Sequence, residues 1–442
     1  MCRQQTAGLL IMTQPESNDV VITGIGLMSP IGIGVDAFQA GLASGQPGFK
    51  RTELLDFIGT PDCIGGEVTE FTPSTAKKNY LRPLRKSVKL MCREIQLGVA
   101  AALQAAEHAG LSSGDFAPER AGVSFGANLM SNPPQVLAGG VGKCLADDGS
   151  YVFDEWGQEG IRGMEPLWLL CYLPNMPGCH IGIALDARGP NNSITHDEAS
   201  GGLAIAEAAG ILRRGRADIM MAGVTGTRLH NVKACQATKW DVLATGPADT
   251  RCRPLDAARS GEVVSESACT LVLETRQHAE GRGAKILGTL MGTGASCIVA
   301  SDGTANEQQA VERAATNALK KAGISAAELG HVNVCASGHP ERDLFEAKAI
   351  RNVLGNQVDN IPVTAPKGFI GSAASGSSLA EIAASLLTLQ QGQVIQSLNC
   401  DTPDPECPLN VVTGENLSTD NRIFLKTSVT RMGQASAVVI RA

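Results

Sequence analysis

The sequence predicts an α/β protein built from two similar halves, each of which alternates buried strands with apolar helices. Two observations lead to this fold class. Short runs of β-branched and aliphatic residues alternate along the chain with Ala-rich segments at helical spacing. Glycine accounts for 50 of 442 residues and aromatic residues for only 4%, a composition that suits helices packed closely on sheets. With 43% hydrophobic residues, the chain can bury a large core and is not disordered as a whole.

Charge and cysteine content exclude several classes of protein. The formal net charge is −7, from 37 Lys and Arg against 44 Asp and Glu, whereas a nucleic-acid binder normally carries a basic face. The 13 cysteines are dispersed without a Cys-x-x-Cys pair, which argues against a disulfide framework or a zinc ribbon and fits a reducing cytoplasm. No apolar run approaches the roughly 18 residues that span a bilayer. We therefore expect a cytoplasmic protein that binds no nucleic acid and has no membrane span.

The N-terminal segment is interpreted as an extension of the fold. Residues 1–19 carry no periodic pattern, disorder is one interpretation of them, and the true start is either Met1 or Met12. Residues 20–23 then predict a buried strand that ends in a turn containing the pattern Gly-x-Gly. The third glycine of a dinucleotide-binding fingerprint would fall at Ser29, so we expect no bound cofactor.

The rest of the first half, predicted to run over 20–275, alternates strands and helices. Apolar spacing predicts helices over 87–110 and 201–212 and strands over 121–126, 180–185 and 217–223. The last strand, turn, helix and strand of this series form a βαβ unit, which implies parallel pairing. Residues 130–178 mix Gly, Pro and aromatic residues and are predicted to form a loop-rich cap.

The second half, predicted to run over 276–442, continues the alternation. The remaining predicted elements are strands over 268–273, 332–334, 424–426 and 437–440 and helices over 306–322, 343–354 and 378–389. No linker separates the halves, and they share a pattern of elements rather than sequence identity. The pattern therefore predicts a duplicated α/β core.

Several separate segments, in the right order, resemble the β-ketoacyl-acyl carrier protein synthase (ketosynthase) family. These segments are Gly24-x-Gly26-x-x-Ser29-Pro30-x-Gly32, Gly189-Pro190, Ala199-Ser200-Gly201, Arg253-Pro254-x-Asp256, Leu271-Val272-Leu273-Glu274, Asn333 with Pro340, and Pro403-Asp404-x-x-Cys407-x-Leu409. Together they span about residues 20 to 440. The resemblance implies a thiolase-like fold, with two similar α/β halves in a five-layered α-β-α-β-α arrangement that usually forms a dimer.

The positions that carry the family's chemistry differ in this sequence. The resemblance places Glu198 where the family has its nucleophilic Cys, Cys335 where it has its first catalytic His, and Ser372 where it has its second. Lys367 is retained from the usual set. The segment 429–433, which resembles the family's glycine-rich gating loop, lacks the phenylalanine and the paired glycines of that loop.

These differences bear on the reaction that the resemblance implies. In the family, a thiolate at a helix N-terminus takes an acyl chain from a carrier thioester. Two imidazoles then stabilise the enolate oxygen as malonyl thioester loses carbon dioxide. A carboxylate is a poor nucleophile toward a thioester, and each missing oxyanion donor is typically worth about 3–4 kcal/mol. We therefore do not expect this chain to catalyse the ordinary condensation by itself.

Glu198 has several interpretations. It could stabilise the N-terminus of its helix, an effect of roughly 0.3–1 kcal/mol. It could also act as a general base or mimic a bound acid. In relatives that decarboxylate, and in chain length factors, a neutral Gln commonly occupies this position and can mimic a thioester carbonyl. An ionised Glu198 would repel a malonyl carboxylate and an enolate, so decarboxylation would require the protonated acid.

Cys335 could be a displaced nucleophile, with His339 or His196 as its base. The alternative is a small buried residue, since free Cys is often buried. A metal site formed by His196, Asp197 and Glu198 is disfavoured, because adjacent residues on a turn rarely converge on one ion. We therefore expect no bound metal.

Two further groups of charged residues are interpreted as structural. Arg213, Arg214 and Arg216 fit a solvated helix end, with carrier-protein docking as the alternative. Asp343 and Glu346 fit ion pairs at a helix start rather than an acid and base pair.

Three functional hypotheses follow. The leading one is a ketosynthase-like protein of fatty-acid or polyketide biosynthesis with a degenerate condensing site, which acts as a chain-length-factor-like partner of an active ketosynthase. The second is an enzyme that processes acyl thioesters, as an acyltransferase, decarboxylase or hydrolase, using Glu198 or Cys335. The third is a working ketosynthase with an unrecognised route. The expected partners are an acyl carrier protein or acyl thioester, and either a second copy of this chain or an active ketosynthase.

Overall fold

The computed structural model of the protein describes residues 18–56 and 61–442, so most of the predicted extension over 1–19 lies outside the described residues. The strands are β1 (Val20–Ser29), β2 (Gly32–Ile33), β3 (Lys50–Arg51), β4 (Ile64–Gly65), β5 (Ala121–Gly126), β6 (Asn191–Ile194), β7 (Ile219–Thr227), β8 (Glu266–Thr275), β9 (Gly288–Cys297), β10 (His331–Asn333), β11 (Val363–Thr364), β12 (Gln393–Val394), β13 (Leu417–Ser418), β14 (Ile423–Val429) and β15 (Gln434–Arg441). The helices are α1 (Val35–Ala43), α2 (Pro73–Thr75), α3 (Arg93–His108), α4 (Pro134–Gly142), α5 (Met176–Leu185), α6 (Ser200–Arg213), α7 (Asn231–Trp240), α8 (Arg276–Gly281), α9 (Glu307–Ala322), α10 (Pro340–Leu354), α11 (Lys367–Ile370) and α12 (Ser377–Leu389).

The large sheet is mixed, with the strand order β11-β10-β14-β15-β9-β1-β8-β7-β5-β6 and β2 paired beside β1. Pairing is parallel at both ends of this order, among β11, β10 and β14 and among β7, β5 and β6. The strands between them pair antiparallel, and a short contact of β1 with β9 joins the two halves. The two ends of the sheet therefore repeat each other's pattern.

Helices cover both faces of each half of the sheet. Helices α6 and α12 contact strands of both halves and form the central layer. On the outside, α3 packs on β1, β7 and β8 and contacts α5, while α9 packs on β9, β14 and β15 and contacts α10. The result is five layers in the order α-β-α-β-α, which confirms the predicted thiolase-like architecture. None of the helices in the described residues is long and apolar enough to cross a bilayer.

Each half packs a long helix onto a strand that supplies glycine in place of side chains. A Cβ added to Gly26 of β1 would lie 1.9 Å from the carbonyl oxygen of Ala101 in α3. A Cβ added to Gly294 of β9 would lie 1.9 Å from the carbonyl oxygen of Ala314 in α9. The same backbone-to-backbone approach recurs in both halves, so the duplication extends to the packing.

Most predicted elements are present with shifted ends, but the predicted strand over 180–185 is wrong. These residues belong to helix α5, in which Gly178, Ile181 and Leu185 are buried at helical spacing and Pro177 occupies the first turn, where a helix accepts proline. A short apolar run does not distinguish a buried strand from a buried helix. The βαβ unit exists, but its first strand is β6, which begins at the end of the turn predicted over 186–192 and extends two residues beyond it.

Strand β9 was not predicted at all, because its sequence is rich in small residues and lacks a β-branched run. The close approach of α9 requires glycine in this strand. The same glycines are the reason why the sequence does not indicate a strand here.

The predicted helix over 87–110 begins only at Arg93, after a 3₁₀ turn over Val88–Leu90. The predicted cap over 130–178 contains α4 and a series of short turns. The predicted division of the chain between 275 and 276 stays a prediction.

We expect Gly294→Ala to lower the free energy of unfolding by at least about 1–3 kcal/mol, because the new methyl group overlaps the backbone of α9. Urea unfolding followed by circular dichroism measures this change. Gly281→Ala at the end of α8 is the matched control, since a Cβ there meets no atom within 4 Å. The control should be neutral or up to about 1 kcal/mol more stable. Equal stability of Gly294→Ala and the wild type would contradict the close packing of α9.

Candidate active site

The four site residues predicted from the sequence converge on one place. Glu198 lies in the 3₁₀ turn that leads from β6 into α6, and Cys335 follows β10. Lys367 is the first residue of α11, and Ser372 follows that helix. All four side chains line a single small cavity between the two halves of the fold.

This cavity is almost completely filled. Its volume is about 10 Å³ for the centre of a water-sized sphere, which is the room that one water molecule needs. Besides the four residues, its walls include four ionisable side chains, Glu262, Arg342, Asp343 and Glu346. The described side chains therefore leave no room here for a thioester.

Lys367 and Cys335 belong to a buried charge network. The Nζ atom of Lys367 donates to the carbonyl oxygen of Cys335 at 2.8 Å and lies 3.3 Å from its Sγ. The same Nζ lies 2.5 Å from one carboxylate oxygen of Glu381, while Nζ of Lys426 lies 2.5 Å from the other. Burial raises the pKa of the Cys335 thiol, although Lys367 opposes the effect. Cys335 is therefore a buried thiol rather than an activated thiolate.

Ser372 is held by a second network, centred on Arg228. The Nη1 atom of Arg228 donates to Oγ of Ser372 at 2.9 Å and to Glu262 at 2.7 Å, and its Nη2 pairs with Asp241. Burial by itself raises the pKa of Glu262, but Arg228 and Arg342 hold this pKa down at about 2. The hydroxyl group of Ser372 is thus bound to a charged guanidinium group.

Glu198 is buried but ionises with difficulty. Its burial, together with the negative charge of the adjacent Asp197, raises its pKa to about 8, although Arg342 opposes this effect. Asp197 itself has a left-handed backbone with φ of 47°, which turns the chain sharply before α6. Glu198 is therefore an uncharged carboxylic acid at neutral pH.

The two histidines considered as bases lie elsewhere. His339 caps α10, and its Nδ1 accepts from the backbone nitrogens of Glu341 and Arg342 at 3.3 and 3.4 Å. His196 is exposed, on the rim of a larger cleft. No hydrogen bond in the described part of the chain joins either histidine to Cys335.

The carboxylates of α10 accept backbone hydrogen bonds. Asp343 accepts from the backbone nitrogens of Ser337 and Gly338 at 2.9 and 3.0 Å. Glu346 accepts from the backbone nitrogen of Cys335 at 2.9 Å. Both carboxylates therefore hold the loop after β10. Among the described residues, no group of three or more His, Cys, Asp or Glu side chains is arranged to hold a metal ion.

A polar cleft of about 490 Å³ adjoins the filled cavity, and Glu198 and Arg342 line both. Its walls carry Asp197, Arg228 and Lys233. At its rim, the guanidinium group of Arg431 lies 4.6 Å from the ring centroid of Trp240, a cation–π contact. Arg431 belongs to the segment that resembles the family's gating loop.

Sequence reasoning missed several of these residues. Arg228 follows the buried strand β7, a position where polar residues often form sites, but its partners come from distant parts of the chain. Lys426 lies inside a strand pattern and gave no signal. One further signal is present in the sequence as a charge run, since residues 77–93 contain seven Lys and Arg and no acid. Six of these seven are exposed, namely Lys77, Lys78, Arg82, Arg85, Lys86 and Lys89.

Comparison with known families gives matches over most of the chain. The family model described as "Beta-ketoacyl synthase, N-terminal domain" matches residues 17–279, and that described as "Beta-ketoacyl synthase, C-terminal domain" matches residues 287–401. A 3-oxoacyl-[acyl-carrier-protein] synthase 2 of Staphylococcus aureus is 28% identical over 430 residues, covering 96% of this chain and 99% of the relative. Its counterpart in Synechocystis sp. is 29% identical over 408 residues, covering 92% and 93%.

Solved structures match over the same length. A β-ketoacyl synthase from Burkholderia phymatum has a TM-score of 0.83 at 23% identity, with 96% of this chain and 99% of that chain covered. The ishigamide ketosynthase/chain length factor has a TM-score of 0.81 at 25% identity, with the same coverage. A type II polyketide synthase acyl-carrier protein in complex with its ketosynthase gives a TM-score of 0.77 at 25% identity, covering 97% and 100%.

We expect Glu198→Gln to stabilise the protein by an amount that grows with pH. The pKa of Glu198 is about 8 in the folded chain against 4.5 for an unperturbed Glu, so the folded state binds the extra proton between these pH values. Raising the pH through this range therefore destabilises the wild type but not the variant. Each pKa unit corresponds to about 1.4 kcal/mol.

Urea unfolding of both proteins at pH 5.5, 7 and 8.5 measures the difference. Glu107→Gln, on the exposed part of α3, is the control and should give a difference that does not change with pH. A constant difference for Glu198→Gln over the same range would contradict the raised pKa.

Proposed function

The chain belongs to the β-ketoacyl synthase family, and from that premise we propose that it is a non-condensing partner of an active ketosynthase, in the manner of a chain length factor. Its relatives include proteins named as 3-oxoacyl-[acyl-carrier-protein] synthases, so the proposal depends on what differs at the site. The reaction class in which it takes part is fatty-acid or polyketide synthesis.

The observation that carries the proposal is the filled and charge-paired centre. Condensation needs a nucleophile, two donors for the enolate oxygen and space for two thioesters. Here a neutral acid, a buried thiol and a bound hydroxyl group line a cavity of about 10 Å³. Loss of one oxyanion donor typically costs about 10²–10³ in rate, so loss of two leaves little condensation even if the site opened.

The surface around β6 supports a partner role. This strand ends the sheet, and in the described structure no strand pairs its outer edge, which is a template for further pairing. The neighbouring cap and α5 expose large apolar side chains, which in Phe153 and Leu129 are 77% and 71% accessible. The others are Ile161, Leu167, Leu169 and Ile183. These exposed apolar side chains are the surface that we propose the partner covers.

The basic run over 77–93 supports contact with an acidic carrier protein. The chain as a whole has a net charge of −7, so six exposed cations without an acid stand out against the rest of the surface. Such a patch attracts an acidic partner by a force that salt weakens. The three arginines at the end of α6, Arg213, Arg214 and Arg216, are also exposed and form the competing docking surface.

A second candidate function is the processing of acyl thioesters by Cys335 or Glu198. It is favoured by the 3.3 Å approach of Lys367 Nζ to Cys335 Sγ and by the contact of Glu198 with the polar cleft. The raised pKa of Cys335 and the lack of space beside it weigh against this alternative.

We expect the purified chain to form no covalent adduct with acyl or malonyl carrier protein and to release no carbon dioxide from the malonyl group. Intact mass measures the adduct, and a decarboxylation assay measures the carbon dioxide.

Glu198→Cys should also fail to condense, because both imidazoles are still missing. Co-purified from its source, the chain should elute as a 1:1 complex with an active ketosynthase, and this complex should condense. An adduct on Cys335 would favour the second candidate, and condensation by Glu198→Cys alone would refute the account of the site.

Charge reversal in the basic run should weaken carrier-protein binding. For Arg85→Glu with Lys86→Glu, we expect at least a tenfold rise in Kd at low salt and a shallower dependence of Kd on salt, because two of the six exposed cations are inverted. Titration of the malonyl carrier protein at 50 and 300 mM salt measures both. Arg213→Glu with Arg216→Glu makes the same change in charge at the end of α6 and should leave Kd within a factor of two. If the Arg213 and Arg216 variant raised Kd more than the Arg85 and Lys86 variant, the docking surface would lie at the end of α6.

A further inference from the structure

Two spaces of different character meet at Lys233. One is the polar cleft of about 490 Å³. The other is a cavity of about 200 Å³ under the cap, whose walls include Leu54, Met130 and Leu229. A cavity of ~150 Å³ in a protein core accepts a molecule the size of benzene, so this space has room for the end of an aliphatic chain.

Lys233 lines both spaces. It lies on α7, and its Nζ is 2.6 Å from a carboxylate oxygen of Glu94 on α3. Both side chains are buried, with 7% and 3% of their surface accessible. Glu94 lines the apolar cavity, whereas Asp197, whose charge also acts on Lys233, lines the cleft. The ion pair therefore stands in the wall between the two spaces.

A buried ion pair is an effective barrier to an apolar chain. A methylene chain that passed between the two side chains would have to separate the charges without offering either a hydrogen bond in return. Thr225 Oγ1 donates to the backbone carbonyl of Glu94 at 2.6 Å, which fixes the acid on the α3 side. Lys233 is not free to turn away, since its only hydrogen-bond acceptor among the described residues is this carboxylate.

We infer that the Lys233–Glu94 ion pair limits how far an acyl chain can extend in this protein, because it closes the apolar cavity to any chain that enters through the cleft. The ligand class is an aliphatic carboxylic acid or thioester, which rests on the proposed function. A short chain is accommodated in the cleft, and a longer one is excluded at the pair. The pair thus acts as a positioning and specificity-determining element rather than as a catalytic one.

The test compares hexanoic and dodecanoic acid, titrated calorimetrically into the full-length wild type and into Lys233→Ala with Glu94→Gln. The double variant removes the ammonium group and the charge of its partner, so the passage opens. We expect it to bind dodecanoic acid at least tenfold more tightly than the wild type, with hexanoic acid changed less than threefold. Lys239→Ala, exposed on the same helix, is the control and should match the wild type for both ligands.

A folded double variant, shown by a cooperative thermal melt, whose Kd for dodecanoic acid lies within threefold of the wild-type value would overturn the inference. A second measurement does not depend on the variant folding. Dodecanoic acid with a photoreactive diazirine at its chain end should label no residue of the apolar cavity in the wild type. Labelled Met130 or Leu229 in the wild type would show that the passage is open. These binding measurements need neither a ketosynthase nor turnover, so their failure is distinguishable from failure of the proposed function.

Discussion

The carboxylate of Glu381, buried on α12, bridges the ammonium groups of Lys367 and Lys426 and so joins the central helix layer to α11 and to β14. Such a set of charges persists only as a whole, because removing one member leaves an uncompensated charge in a medium of low dielectric. Lys367 also donates to the carbonyl oxygen of Cys335, so the same bridge fixes the loop after β10. The conformation of the whole centre therefore depends on this carboxylate.

Fold and chemistry rest on separate sets of residues. The five layers are held by backbone-level packing, such as that of Gly26 against α3 and of Gly294 against α9, in which no side chain of the centre takes part. The packing that holds the fold therefore does not depend on which side chains occupy the centre, and the fold matches solved structures with TM-scores of 0.81 and 0.83. The centre is defined instead by its own balance of charge and space. Arg228 and Arg342 bring guanidinium groups, but each is paired with an acid, so no free positive field is left for an enolate oxygen.

The sequence predicted an element correctly where the residues of that element alone carried the pattern, such as apolar side chains at helical spacing. Helices such as α6 and α9, with Ala and Leu repeated on one face, were predicted to within a few residues, and the ordered motifs identified the architecture. Prediction failed where the reason for a structure lies in another part of the chain. Strand β6 is polar because it is an edge, and β9 is rich in glycine because α9 approaches it. Likewise, the four site positions could be aligned by resemblance, but the ion pairs of Arg228 and Lys426 join residues that are far apart in sequence.

The protonation of Glu198 decides which of its interpretations can hold. The field of the α6 N-terminus favours the carboxylate by roughly 0.3–1 kcal/mol. Burial and Asp197 act in the opposite direction and raise the pKa from 4.5 to about 8, a shift on the order of 5 kcal/mol. The second effect is larger, so Glu198 is mainly the neutral acid at neutral pH. Stabilisation of the α6 N-terminus by a carboxylate is therefore not its main role. A protonated acid presents one carbonyl oxygen and one donor, as the amide of Gln does. The repulsion of a malonyl carboxylate that an ionised Glu198 would cause is then absent. Under the proposed function, we expect the lack of room and of free donors beside Glu198 to prevent decarboxylation instead.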